Sequence, residues 1–588
     1  MALALLFFLS ALILVIAFIL LPKTHRKQSL VLWVAVSLLL FECYLCFIGG
    51  IFSLMGIPVD LLSVTITSFL LAAVIIYLTF SSGHVQHYTL DLTDVCLTIL
   101  VTAIVLSFGL LRFHYEGLIT YATVDPAAHL TFANQITQSK SVIFGSYNMY
   151  FAQLSNSLFI QMLSPIFPGL YEFRSFEIKD LIGFWYSGLL FYSAIRYSLK
   201  TPPKHIVTVI ISLVYLLGYP LNNHIYGFIY LGIAVNIIIL LIILASFYTC
   251  FTSRALITTL ISLGLLGLGL CYTLFAPPVF LAVFLFIIYA LYPDREKDSE
   301  SKHKHALRLV LAEIGTFAMP VILTSVFIIF LDTKDPTVMP ALNAEGGIYR
   351  NLFSDFIIFL PFTLYVVFVA FKKRQLTLAT ILVPIFWIYM IPFFIMIITG
   401  EVSTYYYYKL NFPNWFLVLF LAASGVGILM QNKQIRYFVV SYAAIWLIIG
   451  VFGLSGLESR LHDRNVLISP YPSATLPVKI FEFNKEYLDH PEYGVAYTPS
   501  FIVLLHEAQE LKTHLGVNAI VISDIWEHET WGNSLLSQFY VTEPYSLDDT
   551  NSVFVVLNPS EVHEQNPDKF EMMKVAFRND SGSIYIKE

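Results

Sequence analysis

Charge is what this sequence has least of. Only 12% of its 588 residues are Asp, Glu, Lys or Arg, while 57% are hydrophobic; a soluble domain carries about twice that charge fraction. A single soluble globule is excluded, and the mean hydropathy of +0.75 indicates a polytopic membrane protein. The net charge of −6 supplies no basic surface for nucleic acid. Cysteine is scarce as well. The five present, Cys43, Cys46, Cys96, Cys250 and Cys271, fall in or beside apolar runs. Cys43 and Cys46 stand one turn apart inside such a run, without metal-ligand context, and all five read as small core residues. No cysteine follows position 455, so no disulfide stabilises that end of the chain in any compartment. The first run, 1–21, lacks a basic leader and a small-residue cleavage site, and Lys23, Arg26 and Lys27 follow it. It reads as a retained span with its N-terminus outside.

Runs of about twenty apolar residues mark membrane spans. Fourteen are predicted: 1–21, 30–50, 61–80, 95–112, 180–198, 205–220, 227–249, 255–275, 278–293, 306–331, 355–371, 376–398, 412–430 and 436–455. Basic residues then orient them. The inner loops collect seventeen: Lys23, Arg26, Lys27, Arg196, Lys200, Lys204, Arg254, five between Arg295 and Arg308, Lys372, Lys373, Arg374, Lys433 and Arg436. The outer loops hold seven: Arg112, Lys140, Arg174, Lys179, Lys334, Arg350 and Lys409. The inner run 294–305 alternates in charge, and His303 and His305 belong to a solvated linker rather than a metal site. Glu42 and Glu313 are the acidic residues well inside spans, which makes them functional candidates by default.

Three outer segments, 112–179, 332–355 and 400–411, carry the polar residues of the membrane part. The first opens Tyr121-Ala-Thr-Val-Asp125-Pro126-Ala-Ala-His129. Asp125 and His129 are four apart and share one face of a helix. Asp before Pro is also a good helix start, so Asp125 is both a capping candidate and a catalytic one. Further on, Leu154, Leu158, Ile160 and Leu163 recur at helical spacing, which predicts helices along the membrane surface. The second segment holds Glu345 and Arg350, the third Tyr405-Tyr406-Tyr407-Tyr408-Lys409. Four consecutive tyrosines exceed what an interfacial aromatic belt requires.

From 456 to 588 the composition becomes that of a soluble domain, outside by the same topology. A helix ends at Gly516, apolar strands run over 518–523 and 552–557, and Asn579-Asp-Ser-Gly582 reads as a hairpin turn. His506-Glu507 lacks the second His of a zincin motif, and His528 reads as surface. The fold class is thus a polytopic α-helical membrane protein of about fourteen transmembrane helices, residues 1–455, with a C-terminal extracytoplasmic α/β domain.

Asp125 can act as a general base, Arg350 and Lys409 can hold a phosphate, and the tyrosines offer faces for a sugar or an isoprenoid tail. This constellation resembles the C-type membrane glycosyltransferases, which use polyprenyl-phosphate sugars. The matching features are an acidic residue in the first large outer loop (Asp125, with His129), Tyr-Tyr-x-Lys (Tyr406, Tyr407, Lys409) in a late outer loop, and a C-terminal outer domain. The similarity is to uncharacterised bacterial and archaeal members and to the arabinofuranosyltransferase-like branch. It implies a multi-pass cell-membrane enzyme acting on the outer face with inversion. Catalytic residues would be Asp125 and His129, with donor-binding residues Lys409, Tyr406, Tyr407, Arg350 and Glu345. It also implies a polyprenyl-phosphate sugar donor, a glycan, lipid or protein acceptor of the cell envelope, and membrane lipid around the donor tail. Two departures stand out: three spans precede the one leading into the acidic loop, and no second acidic pair is evident. A divalent metal is therefore possible but has no support in the residues, and no other cofactor is indicated. Three rivals remain: a polysaccharide polymerase or ligase, relying on Arg112, Arg174 and His129; a transporter or lipid flippase, which would place polar residues near the midplane; and a purely structural membrane scaffold.

Overall fold

The computed structural model describes residues 1–21, 28–81, 88–113, 124–142, 151–167, 170, 172–251, 253–291, 317–326, 358–401, 404–452, 498–536, 547–548, 551–558 and 560–587. Helices α1 (Ala2–Leu20), α2 (Leu30–Met55), α3 (Leu61–Ser81) and α4 (Leu92–Phe113) come first. Then follow α5 (Val124–Ser139), α6 (Gln153–Leu163), α7 (Glu172–Ser193), α8 (His205–Leu217), α9 (Tyr219–Tyr226), α10 (Ile229–Phe247), α11 (Arg254–Cys271) and α12 (Ala276–Leu291). After α13 (Phe317–Val326) come α14 (Leu360–Lys372), α15 (Leu378–Ile398), α16 (Thr404–Leu429) and α17 (Lys433–Phe452).

Ten stretches of helix among the described residues are long and apolar enough to cross a membrane. They coincide with ten of the fourteen predicted spans. The others differ for visible reasons. Helix α7 begins at Glu172 and carries Arg174, Glu177, Lys179 and Asp180 in its first half, and α14 has only 13 residues. Of the predicted span 306–331 only 317–326 is described. In α17, Lys433 and Arg436 occupy the first turn. One further expectation changes: the stretch 404–411 is the first part of helix α16 rather than loop. Helix α6 exists as the spacing predicts, and Gln153, Leu154, Ser155, Asn156, Ser157 and Leu158 are all buried, because α6 is packed among α1, α2, α5 and α7.

The core sits around α10, whose residues are buried nearly all round its axis. A helix apolar on every side is an interior one. By contrast α1 turns Leu5, Leu6, Phe8 and Leu9 outward, the pattern of a lipid-facing helix.

The C-terminal end folds as a mixed sheet. Strands β3 (Asn518–Ile522), β4 (Ser552–Leu557), β5 (Lys574–Asn579) and β6 (Gly582–Ile586) lie in the order β3-β4-β6-β5; β1 and β2 are two-residue strands, Gln28–Ser29 and Tyr88–Thr89. β3 and β4 are parallel, while β6 is antiparallel to both β4 and β5. Both β4 faces are covered, as its unbroken apolar run requires. Val553 and Val555 pack toward helices α18 (Pro499–Leu515) and α19 (Trp526–Leu535), while Phe554 and Val556 pack with Phe570 on the other side. The core on the α18–α19 side is continuous with that of the membrane helices.

Candidate active site

Helix α5 begins at Val124, so Asp125 lies inside its first turn, with Pro126 beside it where a missing N–H costs nothing. An acidic side chain there also complements the helix dipole. Pro126 rests on the turn between α9 and α10. Gly227 in that turn has φ +72°, and a Cβ on it would meet Pro126 Cγ at 2.2 Å. The turn admits only glycine on both counts. One turn along α5, His129 is buried, 4% exposed. Its Nδ1 accepts from Gln153 Nε2 at 2.9 Å, and Gln153 Oε1 accepts from Asn156 Nδ2 at 2.6 Å. That chain holds the imidazole proton on Nε2.

Opposite α5 stands Lys409 of α16, 4% exposed. Its Nζ donates to the Tyr230 hydroxyl at 2.6 Å and lies 5.2 Å from the ring centroids of Phe228 and Tyr230 and 5.8 Å from that of Tyr406. Three aromatic faces around one ammonium favour the cation where water is scarce. Tyr230 also packs its ring against His129, centroid to centroid 4.8 Å, and so joins the two halves of the cluster.

Electrostatics tie the halves together. Burial raises the Asp125 carboxyl above its ordinary value, and the neighbouring Lys409 charge pulls it back in part. His129 is pushed down to about 3, chiefly by burial and then by Lys409, so its imidazole is neutral at physiological pH. Asp125 keeps part of its surface accessible. The cluster can therefore take a proton at Asp125 and offer a cation at Lys409, in surroundings where both charges act strongly.

Not every residue expected at the site meets here. Tyr406 does, through its ring over Lys409. Tyr407 packs instead on Phe394 of α15, at 6.0 Å. Glu345 and Arg350, like Glu313, lie outside the described residues. Three members were not anticipated from the sequence: Tyr230, Phe228 and Gln153. The aromatic alternation Tyr226-Gly227-Phe228-Ile229-Tyr230 at the head of a span was the available signal.

A second polar cluster joins α2, α7 and α9. Lys179 pairs with Glu42 at 2.5 Å, and His224 with Asp180 at 2.5 Å. The cavity lined by Lys179, Asp180, Tyr186, Asn223, His224 and Asn236 offers about 30 Å³ to the centre of a water molecule, room for roughly two waters and too little for a sugar. Asp125 and Lys409 do not line it. Among the described residues, no three His, Cys, Asp or Glu side chains gather where they could hold a metal ion.

No family model matches this chain, and no curated protein matches it. Among solved structures it is similar to the apo crystal structure of ArnT from Cupriavidus metallidurans, at 10% identity and a TM-score of 0.42, over 84% of this chain and 97% of that one. So distant a likeness carries no residue roles across.

Proposed function

We propose that this protein is a membrane glycosyltransferase that moves a sugar from a polyprenyl-phosphate donor to a hydroxyl acceptor of the cell envelope, on the outer face of the membrane. One observation carries the reading: Asp125, a residue with part of its surface accessible, and the buried Lys409 come from distant parts of the chain into one cluster, each acting on the other's charge.

The chemistry follows from that pair. The acceptor oxygen attacks the anomeric carbon from the side opposite the phosphate. The carbon–oxygen bond to the lipid phosphate breaks and its electron pair leaves with the phosphate. The hydroxyl proton passes to Asp125. Inversion results from the single displacement. Lys409 faces the charge that develops on the phosphate oxygen, and a donor preorganised against it acts without solvent reorganisation. A raised carboxyl also brings the base closer to the operating pH. Neutral His129 orients the site, and Tyr406 closes the Lys409 cage.

The test is Asp125→Asn in purified full-length protein supplied with a polyprenyl-phosphate sugar, following release of polyprenyl phosphate. Asn keeps the helix-start chemistry and removes the proton acceptor. Turnover should fall about a hundredfold or more with an unchanged melting profile, and His129→Ala should lose less. An Asp125→Asn protein with wild-type turnover would overturn the assignment.

A further inference from the structure

Helix α19 is where the C-terminal unit meets α5. Ser534, buried at 2% exposure, donates its hydroxyl to the Ala127 carbonyl at 2.9 Å and lies 2.7 Å from the Thr131 hydroxyl. Thr131 Oγ1 is also 3.1 Å from the Ala127 carbonyl. Two hydroxyl protons thus serve three oxygens in a closed, buried group. Ala127 stands midway between Asp125 and His129 in the chain, so the contact grips the same turn of α5 that carries both.

On its other side α19 is bound to the sheet. Asn533 accepts from the Val521 N–H at 2.9 Å and donates to the Val521 carbonyl at 3.3 Å. Gly532 lies so close to Val521 that a Cβ would meet Cγ1 at 2.8 Å, and Trp531 is fully buried beside it. A continuous polar connection therefore runs from β3 through Asn533 and Ser534 to the backbone of α5. Helix α5 is short, 16 residues; Leu130, Ala133 and Ile136 pack it into the core, while Ser534 and Thr131 supply the polar contact at the turn that carries Asp125.

We infer that Ser534 and Thr131 are positioning residues: through them the C-terminal unit sets the reach of the Asp125 carboxylate. The inference rests on the reading of Asp125 as the base. Its physical ground is that a displacement of about 1 Å at a reacting group costs on the order of a hundredfold in rate, and that hydroxyls buried at a domain contact define a position more sharply than apolar packing does.

The test compares Ser534→Ala, Thr131→Val and Thr131→Ser in the full-length protein with a polyprenyl-phosphate sugar. Ser581→Ala serves as the control, since it removes a similar hydroxyl pair, Ser500 with Ser581 at 2.7 Å, inside the same unit but away from α5. Ser534→Ala and Thr131→Val should each lower kcat about tenfold to a hundredfold, leave the donor KM within about twofold, and shift the acid limb of the kcat profile as Asp125 moves relative to Lys409. Thr131→Ser should retain turnover, and Ser581→Ala should match wild type. Hydrogen exchange over Val124–Ser139 should quicken in the two damaging variants alone. Wild-type kcat and exchange in Ser534→Ala and Thr131→Val would overturn the inference, as would equal losses in Ser581→Ala. If Asp125→Asn is inactive while Ser534→Ala is normal, only this inference fails. If Asp125→Asn is itself fully active, the functional reading fails, and the exchange result still decides whether α19 holds α5.

Discussion

Two buried polar clusters, one around Lys409 and one around Lys179, solve the problem of charge in an apolar interior differently. At one, the partners touch directly: Glu42 pairs with Lys179, and Asp180 hydrogen-bonds His224. At the other, Lys409 is satisfied by the Tyr230 hydroxyl and three rings, and Asp125 feels it through space. Direct pairing uses up the charges in holding helices together. Matching by neutral groups and distance leaves opposite charges available to a substrate, at a cost in stability. We read the first arrangement as structural and propose the second as the one in which chemistry is done.

The difference can be broken most forcefully at the structural cluster. Lys179→Met leaves Glu42 buried without its partner and should cost about 3–5 kcal/mol, read as a lowered midpoint in thermal unfolding of the detergent-solubilised protein. Replacing both members with leucine should restore much of that loss, because a buried pair is often no better than an apolar one. Near-wild-type stability in Lys179→Met would erase the distinction between the clusters.

Lys409→Met is the matched change at the other cluster. It should leave the melting midpoint far less disturbed and lower turnover about a hundredfold to a thousandfold, the usual loss when one preorganised donor is removed from a developing anion. The readout is the ratio of lost activity to lost stability, which should invert between Lys179→Met and Lys409→Met.

The smallest effect is in pH dependence, and its sign can be worked out. Burial raises the Asp125 carboxyl and Lys409 lowers it in part. A base must be ionised, so kcat/KM should fall as pH drops through the raised value, and residual turnover in Lys409→Met should show that acid limb at higher pH. For stability, a raised carboxyl favours the folded state fully below the unfolded value of about 4, and that contribution is lost as pH rises through the folded value. Asp125→Asn should therefore gain on wild type in melting temperature between the two. An acid limb unmoved by Lys409→Met would separate the two residues electrostatically.

Several features were legible in the residues alone, because they depend on local pattern. Long apolar runs announce helices that cross a membrane, and ten of them do form helices of that kind. Apolar residues bounded by turns give β3 and β4, and the Asn579–Gly582 turn joins β5 to β6. Spacing along a helix put Asp125 with His129 on a common face, whereas Tyr406 and Lys409 were expected in a loop and lie on helix α16. What the residues could not reveal was which span neighbours which. Within lipid an apolar side chain is equally well solvated by a tail or by another helix, so α10 at the centre and α1 at the edge look alike in sequence, although one is buried all round and the other faces outward. Partner choice falls to a few polar or small residues far apart in the chain: Glu42 with Lys179, Gly227 under Pro126, Tyr230 between His129 and Lys409, Ser534 against Ala127. Composition and periodicity alone determined that this chain is a membrane helix bundle followed by a mixed α/β unit. Only the tertiary structure decided that a carboxylate from α5 and an ammonium from α16 share one site, because their coupling depends on distances that no local pattern encodes.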